Sequence, residues 1–523
     1  MIVDTATSGR LLCRSILTVA ALFLMPSAQA ADPAATSLLH QALAAQGGEA
    51  KLRALNVVRW SAVGYRNMLE QSERPEGPYI VEHQTVSELH DQAGGRLRSV
   101  TDSAIYPIAR FSTGFVADRT AAMRFAGEAR SPGSAEMVTL SSEMLVLSPE
   151  RLALTALDAP DAHVEPAIVL QSVPQDVVAF RLDGAPVRIY LNRYTHLPTA
   201  MDYSGPLARS GYWRFLGDVT MRTSYGFWWI AKGGIRMPMQ WDVARNGLPE
   251  GSYTIRELSL DAPVAAAELD IAPEIRTAFA AQPPPLGLDA MPFGTPRQPA
   301  VDLVPGITLV PGSWNVTFVR QDDGVVIIEA PISSGYSAKA IAEAHRRFPG
   351  TPVKAVITTS DSWPHLAGIR EYVAQGIPVY HLDANAPILK RLIRAPYASR
   401  PDTLERAGRA RRAPVLRPVS GATALGTGPN RMVIYPIRGE TSERQLMVYF
   451  PEHRLLYGSD PFQRGVDGSF SFPQAVTELA DAAARERLHP DRFFMMHIGP
   501  TPWAELTRAI ADAGQRDTPD GRY

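Results

Sequence analysis

Serine, aspartate and histidine crowd into one short stretch, Thr358-Thr359-Ser360-Asp361-Ser362-Trp363-Pro364-His365-Leu366-Ala367-Gly368. Two chemistries can be written for such a set. Imidazole and carboxylate ligate divalent metals, and the stretch reads like a metal-binding loop from which most ligands have been removed. The other chemistry is a serine nucleophile, Ser360 or Ser362, with His365 as its base. That second idea has little support elsewhere: the chain has no G-x-S-x-G elbow, and no sequence feature supplies an oxyanion hole.

The flanking residues place this stretch. The apolar run 353–357 reads as a strand and 369–376 as a helix, so the reactive residues fall in a strand-to-helix loop, where many α/β enzymes keep their chemistry. The alternation continues on both sides. Residues 316–320 and 324–329 form a hairpin around Gln321-Asp322-Asp323, and 337–348 has apolar residues at the helical spacing of Ala338, Ile341, Ala344 and Phe348. Strands follow at 377–382, 445–450, 454–457 and 493–496, with helices at 472–487 and 502–513. This is an α/β pattern.

The first half is different. After helical pieces at 35–46 and 49–55, residues 57–65, 80–89, 179–191 and 253–260 mix β-branched and aromatic residues with polar ones. That alternation suits antiparallel strands with one wet face, interrupted by turns such as Asp183-Gly184 and Asn246-Gly247. The aromatic runs Tyr212-Trp213 and Phe227-Trp228-Trp229 fit either a core or a ligand groove. Prolines from Pro283 to Pro311 make 282–305 a stiff linker. The domain reading is therefore 31–281, mainly antiparallel β, the linker, then 306–523. Residues 1–30 read as a signal peptide: Arg10 and Arg14, an apolar run too short to span a bilayer, and Ala28-Gln29-Ala30 before the cleavage point. The single cysteine, Cys13, lies inside it, which leaves the mature chain without thiols. Export to the periplasm or medium is the expectation, with no stable membrane insertion afterwards. The formal charge of −1 gives no reason to expect nucleic acid; a small molecule is the expected substrate or ligand. The basic stretch from Lys390 to Arg417, which contains only Asp402 and Glu405 as acids, fits a solvated face or a site attracting anions.

Several landmarks, taken in order, resemble the metallo-β-lactamase fold superfamily, in particular its exported hydrolase-like members with an extra N-terminal β-rich domain. Gly324-Val325-Val326-Ile327-Ile328-Glu329 resembles an early strand ending in an acid. The 358–368 loop resembles T-H-x-H-x-D-H-x-G-G, and Gly439-Glu440-Thr441 resembles the G-H-T/A turn. Tyr449-Phe450-Pro451 through Gly458-Ser459-Asp460 resembles the strand pair delivering a bridging aspartate, and Met496-His497-Ile498-Gly499-Pro500 the closing loop. The resemblance implies an αβ/βα sandwich for 306–523. For the first domain it leaves a curved antiparallel sheet, similar to those of lipoprotein-carrier proteins.

Carried over residue by residue, the family's ligands give a depleted set. Ser360, Ser362 and Glu440 stand where one metal site has its histidines. The other site loses its aspartate to Pro364 and keeps His365, Asp460 and His497. The resemblance thus implies at most one Zn²⁺ on His365, Asp460 and His497, with an open position for water, and a catalytic role for Asp460, His365 and Glu440. Glu440 reads equally as a solvated turn residue, and Asp361 as a carboxylate offered from the same loop. Two functions stay open: a one-metal hydrolase of ester, amide or lactam-type bonds, and a catalytically inactive protein that binds a ligand or partner. The other histidines, His90 among them, show no ligand spacing and read as surface or strand residues.

Overall fold

The structure, a computed structural model, describes residues 32–513 except 70–78, 106–108, 206–216, 285–286, 295–297, 313, 409–411, 466–467 and 471. The signal-peptide reading and the Tyr212-Trp213 pair lie outside the described residues. No described helix is long and apolar enough to cross a membrane.

The first half folds as one thirteen-stranded sheet. Strands Val57–Asn67 through Ala129–Pro132 form one meander and His163–Leu170 through Leu248–Leu260 a second. The two join where Val57–Asn67 pairs antiparallel with Leu248–Leu260. Alternation decides the faces: Val58, Trp60 and Ala62 are buried while Val63 and Tyr65 are exposed. Helices Pro33–Ala45 and Leu152–Asp158 pack their alanine and leucine faces on the buried side. The 179–191 stretch is divided where the Asp183-Gly184 turn was expected, into Val173–Leu182 and Ala185–Asn192, with both turn residues at positive φ.

The second half has four layers. Its seven-stranded sheet begins with hairpins and becomes parallel from Gly324–Ile328 through Val353–Ile357 and Val379–Leu382 to Leu416–Val419. A six-stranded sheet containing Leu446–Phe450, Leu455–Tyr457 and Arg492–Phe494 stacks against it. Period-two patterning builds the stack. Val326 and Ile328 face the other sheet together with Val448, Phe450 and Tyr457. Val325 and Ile327 face the outer helices Ser334–Arg347, Ile369–Gln375 and Ala386–Arg394. On the far side Met447, Leu456 and Phe493 meet Pro473–Arg485 and Trp503–Ala513. This is an αβ/βα sandwich. Val301–Val304, inside the stretch read as linker, is the outermost strand of the first of these sheets.

The halves are fastened together. Gly217, at positive φ, approaches Pro396 so closely that a Cβ would strike the Pro396 carbonyl. Asp218 donates its backbone N–H to Pro396 O at 2.7 Å and accepts from the Ala398 amide at 2.7 Å and the Ser399 amide at 3.1 Å. Arg370 holds the 392–402 segment from inside. Its guanidinium is fully buried, forks onto Asp402 at 2.6 and 3.0 Å, donates to the carbonyl of Ile393 at 2.7 Å, and stacks over Tyr397.

Candidate functional site

Four strand ends and a short helix meet at the edge of the two sheets. Val353–Ile357 ends in the loop carrying Thr359 and Ser360, which turns at once into the helical turn Trp363–Leu366 that presents His365. Gly324–Ile328 delivers Glu329, Leu455–Tyr457 delivers Ser459 and Asp460, and Arg492–Phe494 leads to His497. Glu329 and Ser459 have left-handed backbones, with φ of 80° and 62°. Such positions cost about 1–3 kcal/mol each and persist where the surroundings hold them.

The surroundings do hold them. The Glu329 carboxylate is wholly buried and accepts from the Tyr457 hydroxyl at 2.8 Å, from the Thr359 hydroxyl, and from His365 Nδ1 at 2.8 Å. Thr359 Oγ1 also pairs with Ser459 Oγ at 2.8 Å, and Ser459 donates to the Thr359 carbonyl at 3.1 Å. On its other side His365 Nε2 faces Asp460 Oδ2 at 3.7 Å, within ion-pair reach and beyond hydrogen-bond distance. His497 Nε2 reaches the same oxygen from outside at 3.5 Å, with its ring edge-on to Trp314.

Burial opposes charge on His365. The Glu329 carboxylate, with Asp460 beyond, outweighs it and raises the imidazole to about 10. Burial raises Asp460 as well, yet the two imidazoles hold it below the usual carboxylate range. Burial and the neighbouring Glu329 push the Tyr457 phenol well above its ordinary value, so it stays a donor.

The sequence-selected residues therefore separate. His365, Asp460 and His497 come together from far apart in the chain. Glu440 is exposed, and among the described residues it makes no hydrogen bond or ion pair to any of them; its turn is held instead by Glu478, which accepts from the Thr441 and Ser442 amides. Ser360 and Asp361 are buried, and Ser360 Oγ accepts from the Ser362 amide at 3.2 Å, a local turn. Glu329, Thr359, Tyr457 and Ser459 escape a motif search because they act through their neighbours. The acid at the end of a strand was the one signal available, as a landmark without an assigned role.

The donor set does not fit a metal as it stands. His365 Nε2 and His497 Nε2 both address one oxygen of Asp460, an ion-pair arrangement rather than three ligands set around a common point. Among the described residues no group of three or more His, Cys, Asp or Glu is arranged to hold an ion.

The fold and this edge site define a two-sheet αβ/βα sandwich with its polar centre at the strand ends. Among solved structures the chain is similar to a metallo-β-lactamase from Pontibacter korlensis at 13% identity, covering 42% of this chain and 100% of that one with a TM-score of 0.32. It is also similar to a metallo-β-lactamase from Erythrobacter litoralis at 14% identity, over 42% and 96% of the two chains with a TM-score of 0.31. A third is a stereoselective inverting sec-alkylsulfatase from Pseudomonas sp., at 15% identity and a TM-score of 0.31, of which this chain covers 40%. No family model matches the sequence, and no curated protein matches it.

Proposed function

We propose that the sandwich domain is a catalytically inactive, hydrolase-like module that binds a small ligand at the rim formed by His497, Asp460 and Trp314. One observation carries this reading. His365, the group best placed to do chemistry, is wholly buried and has a carboxylate on each side, so its ring serves to neutralise the site. Asp460 and His497, whose side chains are 10% and 22% exposed, border solvent at this centre together with Trp314.

A second reading rests on a separate observation. His365 Nε2 and Asp460 Oδ1 are buried without a hydrogen-bond partner, which is what a one-zinc hydrolase on His365, Asp460 and His497 requires. Elemental analysis separates the two. The expected result for protein grown with added zinc is far less than one ion per chain and no turnover of an ester and lactam panel. About one zinc per chain, lost in the His365→Ala/His497→Ala double variant, overturns the inactive reading.

A further inference from the structure

The first domain carries a second built site, independent of whether the sandwich is active or inert. Between the inner face of the large sheet and the Ala135–Val146 helix with its adjoining loop lies a cavity of about 310 Å³, large enough for a small organic molecule. Its walls are aromatic and sulfur-rich: Trp60 and Trp241 meet edge-to-face with centroids 4.8 Å apart, and Met201, Met221 and Tyr225 line the remainder.

One end of this apolar space is charged. Strand Val81–Asp91 points Glu88 and His90 inward, two residues apart on the same face. His90 sits between two carboxylates, with Nε2 2.9 Å from Glu88 and Nδ1 2.8 Å from Glu150, and all three side chains are buried. Two carboxylates against one imidazole leave the group net negative even with His90 protonated. Glu88 is the carboxylate that reaches the cavity, and its second oxygen has only a long contact, 3.4 Å, to Ser99 Oγ. No lysine or arginine is among the described residues lining the space. Trp60, itself 6% exposed, lines the same cavity.

An apolar chamber walled by aromatic faces, ending in a buried acid–imidazole group of net negative charge with no lysine or arginine among the described lining residues, has the chemistry that recognises an organic ammonium ion. Aromatic faces attract a desolvated cation, most strongly at tryptophan, and the carboxylate supplies the counter-charge. We propose that this cavity binds a small organic cation with an apolar body, its ammonium group toward Glu88 and its body against Trp60 and Trp241.

Benzyltrimethylammonium and its neutral isostere neopentylbenzene test the proposal on the full chain, by tryptophan fluorescence titration and calorimetry, with decanoate as an anionic apolar control. The expected result is saturable binding of the cation, at least about tenfold tighter than either control. Glu88→Gln should bring cation and isostere to near parity. Thr101→Phe, which fills the cavity wall without touching the acid–imidazole group, should abolish cation binding while circular dichroism remains that of the parent. Equal or tighter binding of neopentylbenzene or decanoate overturns the proposal. So does a cation affinity unchanged in Thr101→Phe, or no binding of the cation to the parent chain.

Discussion

Each half of the molecule is organised around a histidine held between buried carboxylates, and the two differ in what they leave open. At the sandwich edge Glu329 is saturated with donors, so Glu329→Gln would leave His365 short of its counter-charge in a buried site. The expected loss is about 3–5 kcal/mol, read as a lower urea midpoint. In the first domain burial disfavours charge on His90, but Glu150 and Glu88 raise it from 6.5 to about 10. The pKa is raised on folding, so the stability His90 supplies is complete below about pH 6.5 and is lost as pH rises through about 10. At the acid end Glu150, held below the usual carboxylate range chiefly by His90 against its burial, gives up its share as pH falls through its folded value. Urea unfolding followed by tryptophan fluorescence between pH 6 and 10 should show the alkaline decline, and His90→Gln should reduce it to the part that His365 contributes. The sequence made one of these centres legible and hid the other. His365, Asp460 and His497 stand in recognisable loops. Glu88, His90 and Glu150 are spaced as ordinary strand and turn residues, and only the packing of the loop after Ala135–Val146 on the sheet brings Glu150 over the strand. Glu440 is the converse case: a turn position gave it a role, and its side chain is in solvent.

At the level of elements, patterning was a good guide wherever one face is wet or two faces pack differently. The alternation of Val325 and Ile327 with Val326 and Ile328 assigns each to its layer, so the strand–helix order of the second domain could be read directly. Where prolines dominate, patterning said less. Val301–Val304 is a strand because Ile307–Val310 offers it a partner, which composition does not reveal. The basic stretch after Lys390 has a similar explanation. Its two acids, Asp402 and Glu405, turn inward onto Arg370, at 2.6 and 3.3 Å, so they do not offset the arginines outside. Arg370→Met keeps the volume but leaves Asp402 buried without its cation. The segment 392–406 should become the first site of limited proteolysis, and stability should fall by about 3–5 kcal/mol.

Over the whole molecule, the two halves share one continuous apolar core and a tight contact at Gly217 and Asp218. Gly217 combines a φ of 81° with a position where a Cβ has no room. Gly217→Ala should therefore loosen the junction and split a single calorimetric transition into two, with little change within either half. The network at the sandwich edge has a different reach. Its bonds join Glu329 to Thr359 across 30 positions, Thr359 to Ser459 across 100, and Glu329 to Tyr457 across 128. Contacts so distant along the chain cannot form from any local segment, and they make folding slow. During synthesis, Glu329 and His365 leave the ribosome long before Tyr457 and Asp460, and His497 comes later still. A half-made sandwich thus carries an unsatisfied acid and imidazole on an open sheet edge, the kind of exposed, unpaired surface that chaperones cover. Only the arrival of residues 457–497 closes this network.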